Sequence, residues 1–311
     1  MGGHVARLQA LPVGKGDAFL WQRDDDSTVL VDGGEYSDKL LKALGDVGVN
    51  KLDVVICTHA DADHAKGLIG LLNSGQVEVR EVWLPARFGE KMPELVRDPV
   101  AFARQLAREC ADDKHEVLEP EDWEPDPLPD EDHVELAKVE ELVQSSVHLG
   151  PFLTSLAHPW WWPPPAPNYA LYLDAIDTTS RIWDLLKAAL DGAGLVRWFD
   201  FDDNVRTGGE DWLKPANCRE SMRVRRVPRI LDFVRLTRIN REALVFVGDQ
   251  AGPTPILFSS DSPLGFPLGS VPRTKLLATA PHHGSAHNAT AYGALHTHTG
   301  TADHLWIRSD S

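Results

Sequence analysis

The segment Thr58-His59-Ala60-Asp61-Ala62-Asp63-His64 constrains this chain more than any other. It follows directly on the apolar run at 52–57, which reads as a buried strand, and it carries four metal-capable side chains: His59, Asp61, Asp63 and His64. A loop leaving a strand lets alternate side chains converge on one point. His59 and Asp61 can then hold one ion while Asp63 and His64 hold a second. The competing reading is an Asp-rich cap on a helix beginning near Ala65, with Asp63 accepting a backbone N–H. A cap needs one such side chain, and the density here exceeds that.

Two distant segments supply what the loop lacks. Asp261 follows an apolar run at 255–258 and two serines, so it sits at a strand end, where its carboxylate can bridge two ions. His282 and His283 follow an apolar stretch at 275–280, with Pro281 ending the strand and Gly284 permitting a tight turn. All these ligands leave strands at their carboxyl ends, which places them in one crevice.

Around them the chain alternates short apolar runs with turn signals. Strands are expected between residues 5 and 31, a helix over 37–45, a strand at 82–85, and further strands at 230–234, 243–247, 256–258 and 276–280. From about 88 to 227 the character changes to an acidic stretch and an aromatic run, Trp160-Trp161-Trp162, that ends in Pro163-Pro164-Pro165. This span reads as an insertion within a single domain covering 1–311. Its tryptophans either pack it onto the body of the domain or dock a protein partner.

The 311 residues, 42% of them hydrophobic, suffice for a substantial core. No apolar run approaches the roughly 20 residues a membrane helix needs, and the first residues lack the pattern of a secretion signal. A cytoplasmic protein without membrane contact is expected. The formal charge of −16 excludes a surface that grips nucleic acid everywhere, so any phosphate site is local. Cys57, Cys110 and Cys218 are too few and scattered for a disulfide framework. Eight arginines lie between 219 and 241. They either pair with the acidic insertion or, with Arg223 and Arg226 foremost, track a phosphate backbone towards the metals. His296, His298 and His304 have no carboxylates beside them and read as surface or helix-face residues.

The ordered motifs resemble the metallo-β-lactamase superfamily, and in particular the hydrolase domain of the ComEC/Rec2 competence proteins. Leu11-Pro12-Val13-Gly14-Lys15-Gly16-Asp17-Ala18 is similar to that group's first glycine-rich motif, with Lys15 where glutamine is usual. Thr28-Val29-Leu30-Val31-Asp32-Gly33-Gly34 is similar to the strand and Asp-Gly turn that follow. The loop at 58–64 resembles the main metal motif in the form where Asp61 replaces a second histidine. Asn240-Arg241-Glu242 resembles an Asn-rich strand start, Ser259-Ser260-Asp261 stands at a Gly-Asp position with Ser260 replacing the glycine, and 281–285 resembles the last motif. The resemblance covers roughly residues 5–85 and 230–308. It implies an α/β (α+β) four-layer αββα sandwich, the metallo-β-lactamase fold, with a helical or irregular insertion.

The ligand set expected is therefore His59, Asp61, Asp63, His64, Asp261, His282 and His283. Mixing imidazoles with carboxylates suits two divalent ions, zinc or manganese, with magnesium an option. Two metals favour hydrolysis of a phosphodiester, in a nucleic acid or nucleotide, by an activated water that Asp63 or Asp261 orients. Lys15 and Asn240 are candidates for contacting substrate, although Lys15 in a Gly-Lys-Gly turn can equally be simply exposed. Asp17 and Asp32 are expected to hold the ligands rather than the metals. Hydrolysis of a lactone, thioester or β-lactam is a second enzyme reading. A third is an effector or regulatory subunit gated by a partner.

Overall fold

The computed structural model describes residues 6–113, 132–146, 149–156, 168–249, 254–301 and 303–309. Most of the acidic stretch, the tryptophan and proline run, and the partner surface expected there lie outside the described residues. A seven-stranded sheet runs in the order β1 (Arg7–Ala10), β2 (Phe19–Gln22), β3 (Thr28–Val31), β4 (Lys51–Ile56), β5 (Glu78–Pro85), β7 (Ala193–Phe201), β9 (Cys218–Glu220). A five-stranded sheet runs β14 (Leu305–Ile307), β13 (Leu277–Thr279), β12 (Ile256–Phe258), β11 (Phe246–Gly248), β8 (Leu213–Pro215). A small ribbon joins β6 (His133–Glu135) to β10 (Arg223–Arg225).

Side-chain alternation dictates the layering. Successive residues of a strand face opposite sides, so strands apolar on both sides must be covered on both. In β3, Val29 and Val31 enter one apolar cluster and Leu30 another; in β4, Val54 and Ile56 separate from Leu52 and Val55 in the same way. The first cluster lies between the sheets, where Trp21, Trp83 and Phe199 meet Phe246, Ile256 and Phe258. Leu257 of β12 turns the other way, towards Ala291 and Leu295 of α9 (Ala289–Thr299). Leu30 and Val55 face the helices α1 (Ser37–Asp46), α2 (Ala62–Ser74) and α7 (Tyr169–Gly192). Three apolar interfaces between four layers make an αββα sandwich.

Between β5 and α7 the chain forms α3 (Met92–Arg97), α4 (Pro99–Asp112), α5 (Leu136–Ser145) and α6 (Leu149–Leu156), whose buried side chains extend the helical layer. The span 88–227 is not apart from the sandwich throughout: β7 and β9 complete the larger sheet and β8 edges the smaller. Residues 230–234, expected as a strand, belong instead to α8 (Ile230–Arg238). A five-residue apolar run carries no period by itself. Here it continues through Arg235 and Arg238, whose charges are concealed by pairing with Asp113 and Asp61.

The strands that matter for function are parallel neighbours. β3 pairs with β4, and β12 with β13, both in parallel register. Parallel pairing puts their carboxyl ends on one edge of each sheet, where ligands bind in open α/β sheets. Asp32, His59, Asp261 and His282 leave from these four ends.

Candidate metal centre

The loop after β4 is shorter than expected, because α2 begins at Ala62 and takes Asp63 and His64 into its first turn. Asp61 occupies the N-cap position with extended backbone, yet its side chain makes no capping hydrogen bond. The carboxylates are not there to cap the helix. Backbone bonds pin the loop: Ala60 N donates to Thr237 O at 2.8 Å and Leu244 N to Thr58 O at 3.0 Å. The glycine-rich turns close on it from the other side. A Cβ on Gly16 would lie 1.7 Å from the carbonyl oxygen of Asp63, and one on Gly67 would lie 1.9 Å from that of Gly33. Only glycine permits these approaches.

Asp261 stands between two groups of side chains. Its Oδ2 lies 3.8 Å from His59 Nε2 and 3.9 Å from His282 Nε2, while its Oδ1 lies 3.3 Å from His64 Nε2. On the first side, Asp61 Oδ2 is 3.7 Å from His59 Nε2. On the second, His283 Nε2 is 3.4 Å from Asp63 Oδ2 and His283 Nδ1 is 2.9 Å from Asp17 Oδ1. The seven ligands expected from the sequence thus divide into His59, Asp61 and His282 on one side of Asp261, and Asp63, His64 and His283 on the other.

Asp17, expected in a supporting role, lies among the metal-capable side chains themselves. With His64, Asp261 and His283 it forms a group whose ligand atoms lie within 4.8 Å of one another. It is almost wholly buried, and both its oxygens lack a hydrogen-bond partner of acceptable geometry. Asp32 accepts from Thr58 N at 2.9 Å and Thr58 Oγ1 at 2.8 Å, and its Oδ2 meets His64 Nδ1 at 2.8 Å. That contact turns His64 Nε2 inwards.

Buried polar atoms are ordinarily hydrogen-bonded. His59 Nε2, His64 Nε2 and Asp261 Oδ1 are buried without such a partner, as are the oxygens of Asp17. Orphaned imidazole nitrogens and carboxylate oxygens converging on one place fit divalent cations. The electrostatics agree. Burial works against the charged forms throughout, yet the neighbouring imidazoles hold Asp63 down to about 2 and keep Asp261 below the usual carboxylate range. Burial likewise disfavours the imidazolium of His283, but the carboxylates of Asp17 and Asp63 beside it raise it to about 10. His64 rises well above its ordinary value because Asp261 and Asp32 outweigh its desolvation. Asp17 moves up, driven by burial and opposed by the imidazole of His283 beside it. A group of carboxylates this dense draws positive charge, whether protons or metal.

The expected substrate residues fare differently. Lys15 is well exposed and pairs with Glu35 at 2.8 Å, the plainer of its two readings. Asn240 places its Nδ2 3.2 Å from His282 Nδ1, so its side chain contacts an imidazole of the group. Arg223 pairs with Glu135 at 2.7 Å, and Arg226 with Glu94 at 3.1 Å and Asp132 at 3.6 Å. These two arginines are therefore engaged by acids of the 88–227 span, as the alternative to a phosphate track requires. His304 accepts from Leu276 N at 3.2 Å, a structural role.

Three groups went unassigned in the sequence. Thr58 links Asp32 to His59, Arg238 donates from Nε to Asp61 Oδ1 at 2.6 Å, and Arg181 donates to Ala60 O at 2.6 Å. Thr58 alone carried a signal, a hydroxyl next to the first ligand.

Residues 11–158 match the family model described as the metallo-beta-lactamase superfamily. Among solved structures, the chain is similar to a metallo-beta-lactamase from Cronobacter sakazakii (Enterobacter sakazakii) with substitutions in its HARLDQ motif. That match has 10% identity and a TM-score of 0.32, and covers 94% of this chain and 69% of the other. Comparison with curated proteins finds no match. The αββα layers, together with the family-model match over residues 11–158, give the chain a metallo-beta-lactamase fold.

Proposed function

We propose that this protein is a metal-dependent hydrolase of phosphodiesters, in a nucleic acid or a nucleotide. The observation that carries the reading is Asp261, whose two oxygens face two separate groups of imidazoles and carboxylates. A carboxylate shared in this way can bridge a pair of ions. Two divalent ions held there supply Lewis acidity towards a water and towards the oxygens of a phosphoryl group.

The chain's own residues hold and orient. His59, Asp61 and His282 would bind on one side, and Asp63, His64 and His283 with Asp17 on the other. Asp32 and Thr58 hold the imidazoles of His64 and His59 so that their Nε2 atoms face inwards. Asp63 or Asp261 would orient the attacking water. Carboxylates move the balance towards manganese or magnesium, and the imidazoles keep zinc an option. The resemblance of the 58–64 and 281–285 motifs to the ComEC/Rec2 hydrolase domain supports the same substrate class.

Assays with manganese or zinc on bis(p-nitrophenyl) phosphate, single-stranded DNA, RNA and nitrocefin test this. Phosphodiester cleavage lost in His59→Ala is expected. Turnover of nitrocefin with every phosphodiester untouched would overturn the reading.

A further inference from the structure

Ser260 is buried, stands next to the bridging Asp261, and holds a backbone φ of +49°. Glycine adopts that conformation freely, whereas an L side chain is strained there. A serine at such a position needs a compensating contact, and its hydroxyl makes one: Ser260 Oγ lies 2.6 Å from Thr58 Oγ1. Ser260 also touches the third ligand segment, accepting from His282 N at 3.2 Å.

The protons around Thr58 can be counted. Its hydroxyl has one hydrogen and two lone pairs. Asp32 only accepts, so the hydrogen goes to Asp32 Oδ2, 2.8 Å away. The lone pairs remain for His59 Nδ1 at 3.0 Å and for Ser260 Oγ. His59 therefore donates from Nδ1, which leaves the lone pair on Nε2 facing Asp61 and Asp261. Asp32 Oδ2 in turn accepts from His64 Nδ1 at 2.8 Å. One chain of hydrogen bonds, from Ser260 through Thr58 to His59 and through Asp32 to His64, joins the imidazoles on both sides of Asp261.

We propose that Ser260 is a positioning residue: by donating to Thr58 it fixes the hydroxyl that orients His59 and, through Asp32, His64, so that both sides of the metal centre are set together. The proposal rests on the metal-centre reading above. Contacts of this kind, one step behind the ligands, change metal affinity by about 10–100-fold.

Two variants separate the hydroxyl from the strained backbone. Ser260→Ala removes the hydroxyl and keeps the strain; Ser260→Gly removes both. Chelator competition with zinc or manganese should show both variants binding at least about tenfold more weakly than wild type. Thermal unfolding of the metal-free proteins should show Ser260→Gly above Ser260→Ala. Wild-type affinity in Ser260→Gly would overturn the proposal, because the hydroxyl would then do nothing for the site. If wild type binds neither metal, the metal reading itself fails, and the relay is decided by NMR of the metal-free protein. Imidazole N–H protons of His59 and His64 that exchange slowly in wild type and rapidly in Ser260→Ala would support it; equal exchange would overturn it.

Discussion

Asp261 is the side chain on which both halves of the centre depend. Asp261→Asn keeps the shape but removes the shared negative charge, so bound metal measured by mass spectrometry after dialysis against a weak chelator should fall from two ions per chain to one or none. Proton competition gives a second prediction. His283 is held at about 10 in the metal-free protein against an ordinary 6.5, so its ion pairs with Asp17 and Asp63 stabilise the fold below about 6.5. That contribution is lost as pH rises through about 10, while metal affinity climbs over the same window because fewer protons compete. Calorimetry in buffers of different ionisation enthalpy should therefore record proton release on binding at pH 7; none released would contradict the coupling. That the seven metal-capable side chains converge was legible in the sequence, because four of them crowd one loop after a strand and the other three follow further strands. Asp17, Thr58 and Asn240 were not legible in their present roles. Each acts through an atom whose direction depends on a turn or a helix start, and residue order alone does not give that direction.

At the scale of elements, helix α7 grips the metal loop. Arg181 donates to Ala60 O, between the ligands His59 and Asp61, and Asp174 of the same helix accepts from Arg238 Nη1 at 2.8 Å while Arg238 Nε holds Asp61. Arg181→Met leaves a carbonyl unsatisfied in a buried setting and should cost about 1–3 kcal/mol in urea unfolding, with weaker metal binding as well. An unchanged midpoint would show that the contact is incidental. The strands around the site were legible because alternation and turn residues agreed over several residues. The helical character of 230–238 was not, since its amphipathic pattern includes Arg235 and Arg238, which read as exposed until Asp113 and Asp61 are brought to them from distant segments.

For the whole molecule, the two sheets are held face to face by aromatic packing: Phe246 lies against Trp83 and Phe199, with ring centroids 5.4 and 5.3 Å away. Since β4 and β12 deliver His59 and Asp261 from opposite sheets, this packing sets the distance across the centre. Phe246→Ala should destabilise the fold by about 3–5 kcal/mol in denaturant unfolding and weaken metal binding with it. The charge of −16 was readable at once, but not its distribution. The basic segment near 219–241 pairs with acids including Asp200, Asp202, Glu135 and Glu94, contacts that no local pattern announces.

A two-ion centre that cleaves phosphodiesters is tested most directly by metal content measured together with bis(p-nitrophenyl) phosphate hydrolysis. Wild type should bind two divalent ions per chain and turn over the substrate, with both properties lost in His59→Ala and Asp261→Asn. A wild-type protein that binds no divalent ion, or whose hydrolysis survives both substitutions, would contradict it.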